Sequence, residues 1–334
     1  MTCLPGVFRI VSWNMQGAAG TDIETGKIKD KLSLLQAYMQ DEQVIAICLQ
    51  ECSDLYGWWP GEKDRKEQAE FLSKEINDKR AEKQSATKEK LSAQFKVIGK
   101  TEDFLKLDER WADPIFFYDK YGRCSLGILV RKLYFTGQEI KTLDRRRPIM
   151  GVRLHGFDRR QPLYLFSIHV PYNKNNPDPN YIQNLLEYAS SDKFLRPGGE
   201  EGNWIGVGDF NHPADKQEEN AFKFFAPNMR RPGIPTTKGA TGNEYDYCFI
   251  GGEYLLSRGC SVHVHPVKYS DHNPVHFLFS PRGDITKHAS DLASKLSASK
   301  LTHLSENTTR APVWRLYNNH KLFPTGMQQK QYTR

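Results

Sequence analysis

The sequence has few of the features that define several protein classes. It contains six cysteines in 334 residues and no CxxC pair, so we expect neither a disulfide scaffold nor a thiolate zinc site. Its longest apolar run, VIAICL, is far shorter than the roughly 20 residues of a transmembrane helix. The first residues, MTCLPGVFRIVSWN, lack the charged and then apolar layout of a signal peptide. We therefore expect a soluble protein that is cytoplasmic or nuclear, or a secreted effector that acts inside a target cell.

The charge of the chain is only slightly unbalanced. Lys and Arg number 47 against 40 Asp and Glu, which leaves a net charge of +7. Such an excess suits an anionic partner, either nucleic acid or a phosphoinositide surface, and does not choose between them. A hydrophobic content of 38% is enough for a substantial core.

Hydrophobic patterning predicts more strands than helices. The strand patterns are, in chain order, VFRIVSWNM, VIAICLQE, CSLGILVRK, RPIMGVRLH, PLYLFSIHV, NWIGVGDFN, YDYCFIGG and HNPVHFLF. Helical spacing predicts helices over residues 27–42 and 181–195, and the charged segment 61–94 is typical of solvated helices. Because many strands follow one another directly, we expect an α+β architecture with packed sheets rather than a doubly wound parallel sheet.

The composition changes after Phe279. Residues 281–334 are richer in Ser, Thr, Lys and Asn, with a few scattered aromatic residues. This change predicts one domain over residues 1–280 and a polar, basic C-terminal extension over residues 281–334. We interpret the extension as a docking segment for a carrier or delivery subunit, with a strand-bracing or disordered extension as the alternative.

Polar side chains follow strand after strand. They are Asn14, Glu51, His169, Asp209, Asn211, Asp246, Asp271 and His272. Each alone is more typical of a turn or a cap, but together they suit one chemistry. Glu51 with Asp271 or Asn14 offers oxygen ligands for Mg²⁺ or Mn²⁺, and two histidines can serve as base and acid around one phosphate. This set indicates metal-assisted hydrolysis of a phosphate ester.

The motifs resemble a known superfamily. VSWNMQG, LQE, SIHVPY, GDFN, YDY and SDHNPV occur in the order and character of the DNase I-like endonuclease/exonuclease/phosphatase proteins, over about residues 7–280. FRIVSWNMQGAAG, GRCSLGILVR and RRPIMGVRL also look like segments of the catalytic B subunits of cytolethal distending toxins. The resemblance implies a four-layer αββα sandwich, in which two packed mixed β-sheets are flanked by helices.

The resemblance also implies an activity. It is that of a toxin-like Mg²⁺-dependent endonuclease that hydrolyses DNA by His/Asp acid-base catalysis, which would make DNA the substrate. A phosphoinositide phosphatase that uses the same site is the first alternative, and a catalytically inactive binding module is the second.

The resemblance assigns the metal and the base. Glu51 looks like the main metal ligand, assisted by Asp271 and by Asn14, which would also contact the substrate phosphate. His272 looks like the general base, oriented by Asp246 rather than by its sequence neighbour.

The remaining roles concern the phosphate. Asp209 and Asn211 would position the nucleophile and bind the phosphate, and His169 would contact the phosphate and protonate or stabilise the leaving oxygen. Arg123 and Arg147 correspond to phosphate-contacting arginines, whose guanidinium fork suits phosphate oxygens.

Overall fold

The chain was analysed in a computed structural model. It describes residues 3–16, 27–52, 109–112, 115–117, 126–141, 150–156, 162–170, 203–214, 228–238, 242–267, 270–298 and 314–317. The predicted helix over residues 181–195 and the charged segment 61–94 lie outside the described residues.

The described residues form strands and a few helices. The strands are β1 (Phe8–Asn14), β2 (Val44–Gln50), β3 (Ile115–Phe117), β4 (Leu126–Val130), β5 (Phe135–Lys141), β6 (Met150–Leu154), β7 (Leu163–His169), β8 (Asn203–Asp209), β9 (Met229–Arg230), β10 (Asp246–Gly251), β11 (Gly259–Val264), β12 (Val275–Ser280) and β13 (Trp314–Tyr317). The helices are α1 (Lys27–Gln40), α2 (Glu253–Leu256) and α3 (Ile285–Ala298), with a 3₁₀ turn at Arg282–Asp284.

The strands form two mixed sheets that pack face to face. The first has seven strands in the order β13-β11-β12-β1-β2-β4-β3, and the second has six in the order β5-β6-β7-β8-β10-β9. Pairs β1/β2 and β7/β8 are parallel, and the other named pairs are antiparallel. Their facing sides share one apolar core, which includes Ile10 and Phe277 from the first sheet and Leu165 and Val207 from the second. The predicted α+β sandwich of two mixed sheets is confirmed.

Strand β12 is buried on both sides. Its pattern predicts that Val275, Phe277 and Phe279 enter a core, and all three do. The alternate residues of the strand are buried as well, because helices cover the outer side of the sheet. Leu278 packs with residues of α3, and His276 lies edge-on against the ring of Tyr38 in α1, with centroids 4.8 Å apart.

Part of the C-terminal extension joins the first sheet. Strand β13 pairs antiparallel with β11 and covers its outer edge. Covering an edge removes a row of unpaired backbone groups that would otherwise invite another strand. These residues therefore have the strand-bracing arrangement, and a docking role for the rest of the extension stays a prediction. No helix in the described part of the chain is long and apolar enough to cross a membrane.

A cluster of polar side chains lies under α1, on the outer face of the first sheet. The Tyr38 hydroxyl and His265 Nδ1 are 2.6 Å apart, and His263 Nε2 lies 2.7 Å from the hydroxyl of Ser261. His276, the cross-strand partner of His263, is fully buried, and neither of its ring nitrogens has a hydrogen-bond partner among the described residues. We call His263, His265 and His276 the buried histidine cluster.

One cation lies next to the buried histidine cluster. The Arg9 guanidinium forms an ion pair with Asp41, with Nη2 and Oδ2 2.6 Å apart. Burial, together with this positive charge, lowers the pKa of His263 and of His265 to about 4. The same two causes lower the pKa of His276 below its usual range. The cluster is therefore neutral at pH 7.

Candidate active site

Strand register brings the predicted site residues to one edge of the sandwich. In the second sheet, His169 pairs with Asp209 across parallel strands, and Asp246 at the start of β10 pairs with Asp209 at the end of β8. In the first sheet, Asn14 ends β1 beside the end of β2, and β12 runs antiparallel to β1. The segment that leads into β12 therefore lies at the end of β1.

A glycine allows the close approach of β7 and β8 beside the site. Gly208 has φ of 156°, and a Cβ atom on it would lie 1.8 Å from the carbonyl oxygen of Ile168. Any other residue would push the strands apart, just where His169 and Asp209 are paired.

Asp209 lies at the centre of the site. Its side chain is 1% exposed, and Asn14 Nδ2 donates to its Oδ2 at 3.0 Å. The Nε2 atoms of His169 and His272 lie 3.6 Å and 3.7 Å from the same oxygen, too far for normal hydrogen bonds. Burial and the nearby Asp246 raise the pKa of Asp209 against the opposing effects of the two histidines and Asn14. Two imidazoles thus face one carboxylate oxygen.

His272 is paired with Asp246. Its Nδ1 donates to Asp246 Oδ2 at 2.8 Å, and Asp246 is fully buried. The carboxylate of the sequence neighbour, Asp271, makes no such bond. Burial lowers the pKa of His272, but the carboxylates of Asp246 and Asp209 outweigh it and raise the pKa to about 10. The pairing fixes the imidazole so that Nε2 faces Asp209.

The backbone around His272 is held against β1. Trp13 Nε1 donates to the carbonyl oxygen of His272 at 3.3 Å. The Ser270 hydroxyl donates to the carbonyl oxygen of Asn14 at 2.9 Å and accepts from the backbone N–H of His272 at 3.3 Å. These bonds hold the segment that leads into β12 against the end of β1.

Two residues after strand ends have left-handed backbone. Glu51 and Asn211 both have φ of 49°. Asn adopts this conformation readily, but in Glu it stores strain on the order of 1–3 kcal/mol, a feature that clusters at functional sites. The strained turn places Glu51 Oε1 3.6 Å from His169 Nε2. Asn211 is held by two hydrogen bonds. Its backbone N–H donates to Asp209 Oδ1 at 2.8 Å, and its side-chain Nδ2 donates to the carbonyl oxygen of Val170 at 2.8 Å.

The predicted ligands suit a divalent cation. Burial raises the pKa of Glu51, and the charges of Asp209 and Asp271 add to this effect while Asn14 and His272 oppose it. Asp271 Oδ1 is buried and has no hydrogen-bond partner among the described residues. Crowded carboxylates and an unpaired carboxylate oxygen fit a hard cation such as Mg²⁺ or Mn²⁺, which prefers oxygen ligands.

A second group of potential ligands overlaps the site. Asp209, Asp246 and His272 have ligand atoms within 4.8 Å of one another and are all buried. The bond between Asp246 and His272 already occupies one atom of each. Asp246 Oδ1 has no hydrogen-bond partner among the described residues, and the nearby carboxylates of Glu51 and Asp271 add further oxygens, so both sets of residues could supply ligands for a cation.

The structure brings together eight of the ten predicted site residues. They are Asn14, Glu51, His169, Asp209, Asn211, Asp246, Asp271 and His272. The other two, Arg123 and Arg147, lie outside the described residues. Their phosphate contacts stay predictions.

Sequence reasoning missed one polar neighbour of the site. Thr236 is fully buried, and its hydroxyl donates to Asp246 Oδ2 at 2.6 Å. No sequence signal indicates it, because it lies in a loop without an apolar pattern and contacts Asp246 only through the fold.

Comparison with known structures identifies the fold. A protein of Bacteroides vulgatus named as an endonuclease/exonuclease/phosphatase shares 11% identity over 83% of this chain and 100% of its own, with a TM-score of 0.51. This chain has the DNase I-like fold. The resemblance of its motifs to that superfamily is thereby confirmed at the level of the fold.

Two further solved structures are similar over most of the chain. CdtB, the biologically active subunit of cytolethal distending toxin, shares 18% identity over 82% of this chain and 98% of its own, with a TM-score of 0.48. The catalytic domain of human Nocturnin shares 13% identity over 84% and 96%, with a TM-score of 0.46. No protein-family model matches the sequence, and no curated protein matches it.

Proposed function

We propose that the chain is a metal-dependent phosphoric ester hydrolase that cleaves phosphodiester bonds in DNA. One observation carries the proposal. The Nε2 atoms of His169 and His272 lie 3.6 Å and 3.7 Å from the same oxygen of Asp209, and the second histidine is oriented by Asp246 at 2.8 Å. Two imidazoles around one buried carboxylate can supply the base and the acid for hydrolysis of a phosphate ester.

The two histidines divide the proton transfers. Asp246 holds the Nδ1 proton of His272, so once Nε2 has lost its proton the imidazole presents a lone pair to a water molecule near Asp209. The water gives a proton to Nε2 as its oxygen bonds to phosphorus and the ester P–O bond breaks. His169 donates a hydrogen bond or a proton to the leaving oxygen. Asn14 and Asn211 contact the phosphoryl oxygens, whose charge grows in the transition state.

Glu51, Asp271 and Asn14 would hold the metal. A bound Mg²⁺ or Mn²⁺ would supply Lewis-acid stabilisation of the phosphoryl charge, and its positive charge would oppose the effect of the carboxylates on the pKa of His272. Burial and the nearby charges of Asp209 and Asp271 raise the pKa of Glu51, and a bound cation would relieve both effects.

DNA is the substrate favoured by one feature of the sequence: FRIVSWNMQGAAG, GRCSLGILVR and RRPIMGVRL resemble segments of toxin nucleases. The net charge of +7 suits DNA and a phosphoinositide surface equally. Arg123 and Arg147 would contact the phosphates of DNA. A phosphoinositide headgroup would engage the same catalytic groups, so the substrate has to be decided by experiment.

The test is plasmid nicking. Purified protein is incubated with supercoiled plasmid and Mg²⁺, with and without EDTA, alongside His272→Ala. A matched control is His288→Ala, which removes a histidine from α3. We expect metal-dependent nicking that His272→Ala reduces by at least 10²-fold, within the roughly 10²–10⁴-fold expected of a general base, and that His288→Ala leaves unchanged.

Two other results would contradict the proposal. No nicking above the level of His272→Ala, with release of phosphate from a phosphoinositide instead, would assign the site to the phosphatase alternative. If neither substrate is hydrolysed in a metal-dependent way, the result would favour the second alternative, a catalytically inactive binding module. Nicking that weakens steeply as salt rises would support binding along several phosphates.

A further inference from the structure

The Thr236 hydroxyl uses its donor and both of its acceptor positions in hydrogen bonds at the Asp246 end of the site. It accepts from the backbone N–H groups of Tyr245 and Asp246, each at 3.1 Å, and it lies 2.6 Å from Asp246 Oδ2. A hydroxyl has one proton and two lone pairs. Because the two N–H groups occupy the lone pairs, the proton points at the carboxylate, while the carbonyl oxygen of Asn243, at 3.4 Å, is the much longer alternative.

Asp246 Oδ2 therefore receives two hydrogen bonds. One comes from Thr236 at 2.6 Å and one from His272 Nδ1 at 2.8 Å. The other oxygen, Oδ1, is buried without a hydrogen-bond partner among the described residues. Without the threonine, rotation of the carboxylate could turn either oxygen toward His272. The hydroxyl makes one orientation more stable than the other, since charge-assisted bonds are the stronger ones.

The backbone of the same residue holds the His272 segment. The Thr236 carbonyl oxygen accepts from the N–H of Asn273 at 2.8 Å, and Thr237 forms an isolated β-bridge with His272. The next N–H, from Lys238, donates to the carbonyl oxygen of Asp271 at 2.7 Å. The side chain of Thr236 thus fixes the acid of the pair, and its backbone fixes the segment that carries the base.

We propose that Thr236 is a positioning residue, which sets the orientation of the Asp246 carboxylate and through it the imidazole of His272. The inference rests on the proposed function, because it assigns a role within the same acid-base site. Thr236 touches neither substrate nor metal in this assignment. It acts through Asp246, so its removal should lower kcat and leave KM nearly unchanged.

The test uses three variants with matched shapes. Thr236→Val removes the hydroxyl and keeps the branched shape, and Thr236→Ser keeps the hydroxyl. Thr237→Val removes a hydroxyl of the same loop whose partner among the described residues is Asn243. Metal-dependent hydrolysis is measured on bis(p-nitrophenyl) phosphate and on plasmid, with unfolding followed by circular dichroism. We expect Thr236→Val to lose about 10–100-fold in kcat, the usual effect of removing an outer partner of a site, and Thr236→Ser to regain most of it.

A second readout does not depend on hydrolysis. The imidazole Nδ1 proton of His272 is observed by NMR in the wild-type chain and in the three variants. We expect a signal protected from solvent exchange in the wild type, in Thr236→Ser and in Thr237→Val, and faster exchange in Thr236→Val.

The outcomes separate the two proposals. A wild-type chain that fails to hydrolyse either phosphate ester overturns the proposed function, and the NMR signal then still decides the role of Thr236. An active wild type with equal kcat and equal proton exchange in Thr236→Val and Thr237→Val overturns the positioning role. A loss of kcat that Thr236→Ser does not restore also overturns it.

Discussion

The molecule contains two groups of buried histidines with opposite electrostatics. His272 in the candidate site faces Asp246 and Asp209, and its pKa is raised to about 10 despite its burial. The buried histidine cluster, His263, His265 and His276, faces Tyr38, Ser261 and the guanidinium of Arg9. Burial and that cation lower the pKa of all three. Burial acts in the same direction in both groups, so the partners decide the charge of an imidazole.

The two groups of histidines differ in the charged residues that surround them. A histidine next to carboxylates has a raised pKa, and groups with such perturbed pKa values collect at functional sites. A histidine next to a cation and apolar rings stays neutral and acts as a packing residue. His272 and His276 are four positions apart in the sequence, and yet their pKa values shift in opposite directions because one precedes β12 beside two carboxylates and the other lies under α1.

The largest expected effect comes from removing the charge beside His272. Asp246→Asn keeps the shape of the side chain but loses the negative charge that favours the Nδ1–H tautomer. We expect kcat for plasmid nicking to fall by about 10²–10⁴-fold. Asp291→Asn, an exposed carboxylate on α3, is the matched control and should nick at the wild-type rate. Equal rates for the two variants would show that His272 works without its partner.

An intermediate effect is expected from acid on the buried histidine cluster. Unfolded histidines titrate near ~6.5, whereas His263 and His265 titrate at about 4 in the folded chain. Below pH 6.5 the unfolded chain therefore binds more protons, and the free energy of unfolding falls as the pH falls toward 4. Above pH 6.5 this stabilisation is fully present. Each such histidine contributes a slope of up to about 1.4 kcal/mol per pH unit.

His276→Leu isolates this effect. Leucine has no charge to gain, and it replaces a side chain whose ring nitrogens are buried without partners among the described residues. Urea unfolding at pH 5 and pH 7 should show a smaller loss of stability in the variant than in the wild type, with nicking activity at pH 7 unchanged. The same loss of stability in both chains would mean that His276 is protonated in the folded state.

The smallest expected effect concerns one hydrogen bond of the cluster. Tyr38→Phe removes the hydroxyl that lies 2.6 Å from His265 Nδ1. We expect a loss of about 1 kcal/mol in the free energy of unfolding, the usual net value of a hydrogen bond, measured by urea denaturation at pH 7. Activity should stay at the wild-type level, and a fall in kcat beyond twofold would contradict the separation of the two histidine groups.

The sequence predicts the strands that have strong apolar patterns. β1, β2, β7, β8, β10 and β12 lie where continuous or alternating apolar residues predict them, because their side chains are buried between the sheets. β3, β5, β9, β11 and β13 were not predicted. β9 has two residues and β3 has three, too few for a period. In β11, Ser261 and His263 alternate with Val262, and its outer face is buried although it is polar.

The candidate site was predictable where a residue follows a strong strand. Asn14, Glu51 and Asp209 are marked by the runs that precede them, and the structure brings them together with both site histidines. The pairing of His272 with Asp246 was predicted from the resemblance to the superfamily. Closeness in the sequence would instead have pointed to Asp271. Thr236 could not be predicted, since its contact with Asp246 depends on a loop whose bonds to residues 271–273 form only in the folded chain.

The pairing of β1 with β12 has a consequence for the synthesis of the chain. Phe8 pairs with Phe279, so the middle of the first sheet joins residues made at very different times. At about 5–20 residues per second, a ribosome needs on the order of ten seconds or more to reach the later strand. Asn14 therefore meets His272 only after most of the polypeptide has been translated. A chain that ends before the segment leading into β12 lacks His272, so the candidate site is complete only after this late part of the chain has been made.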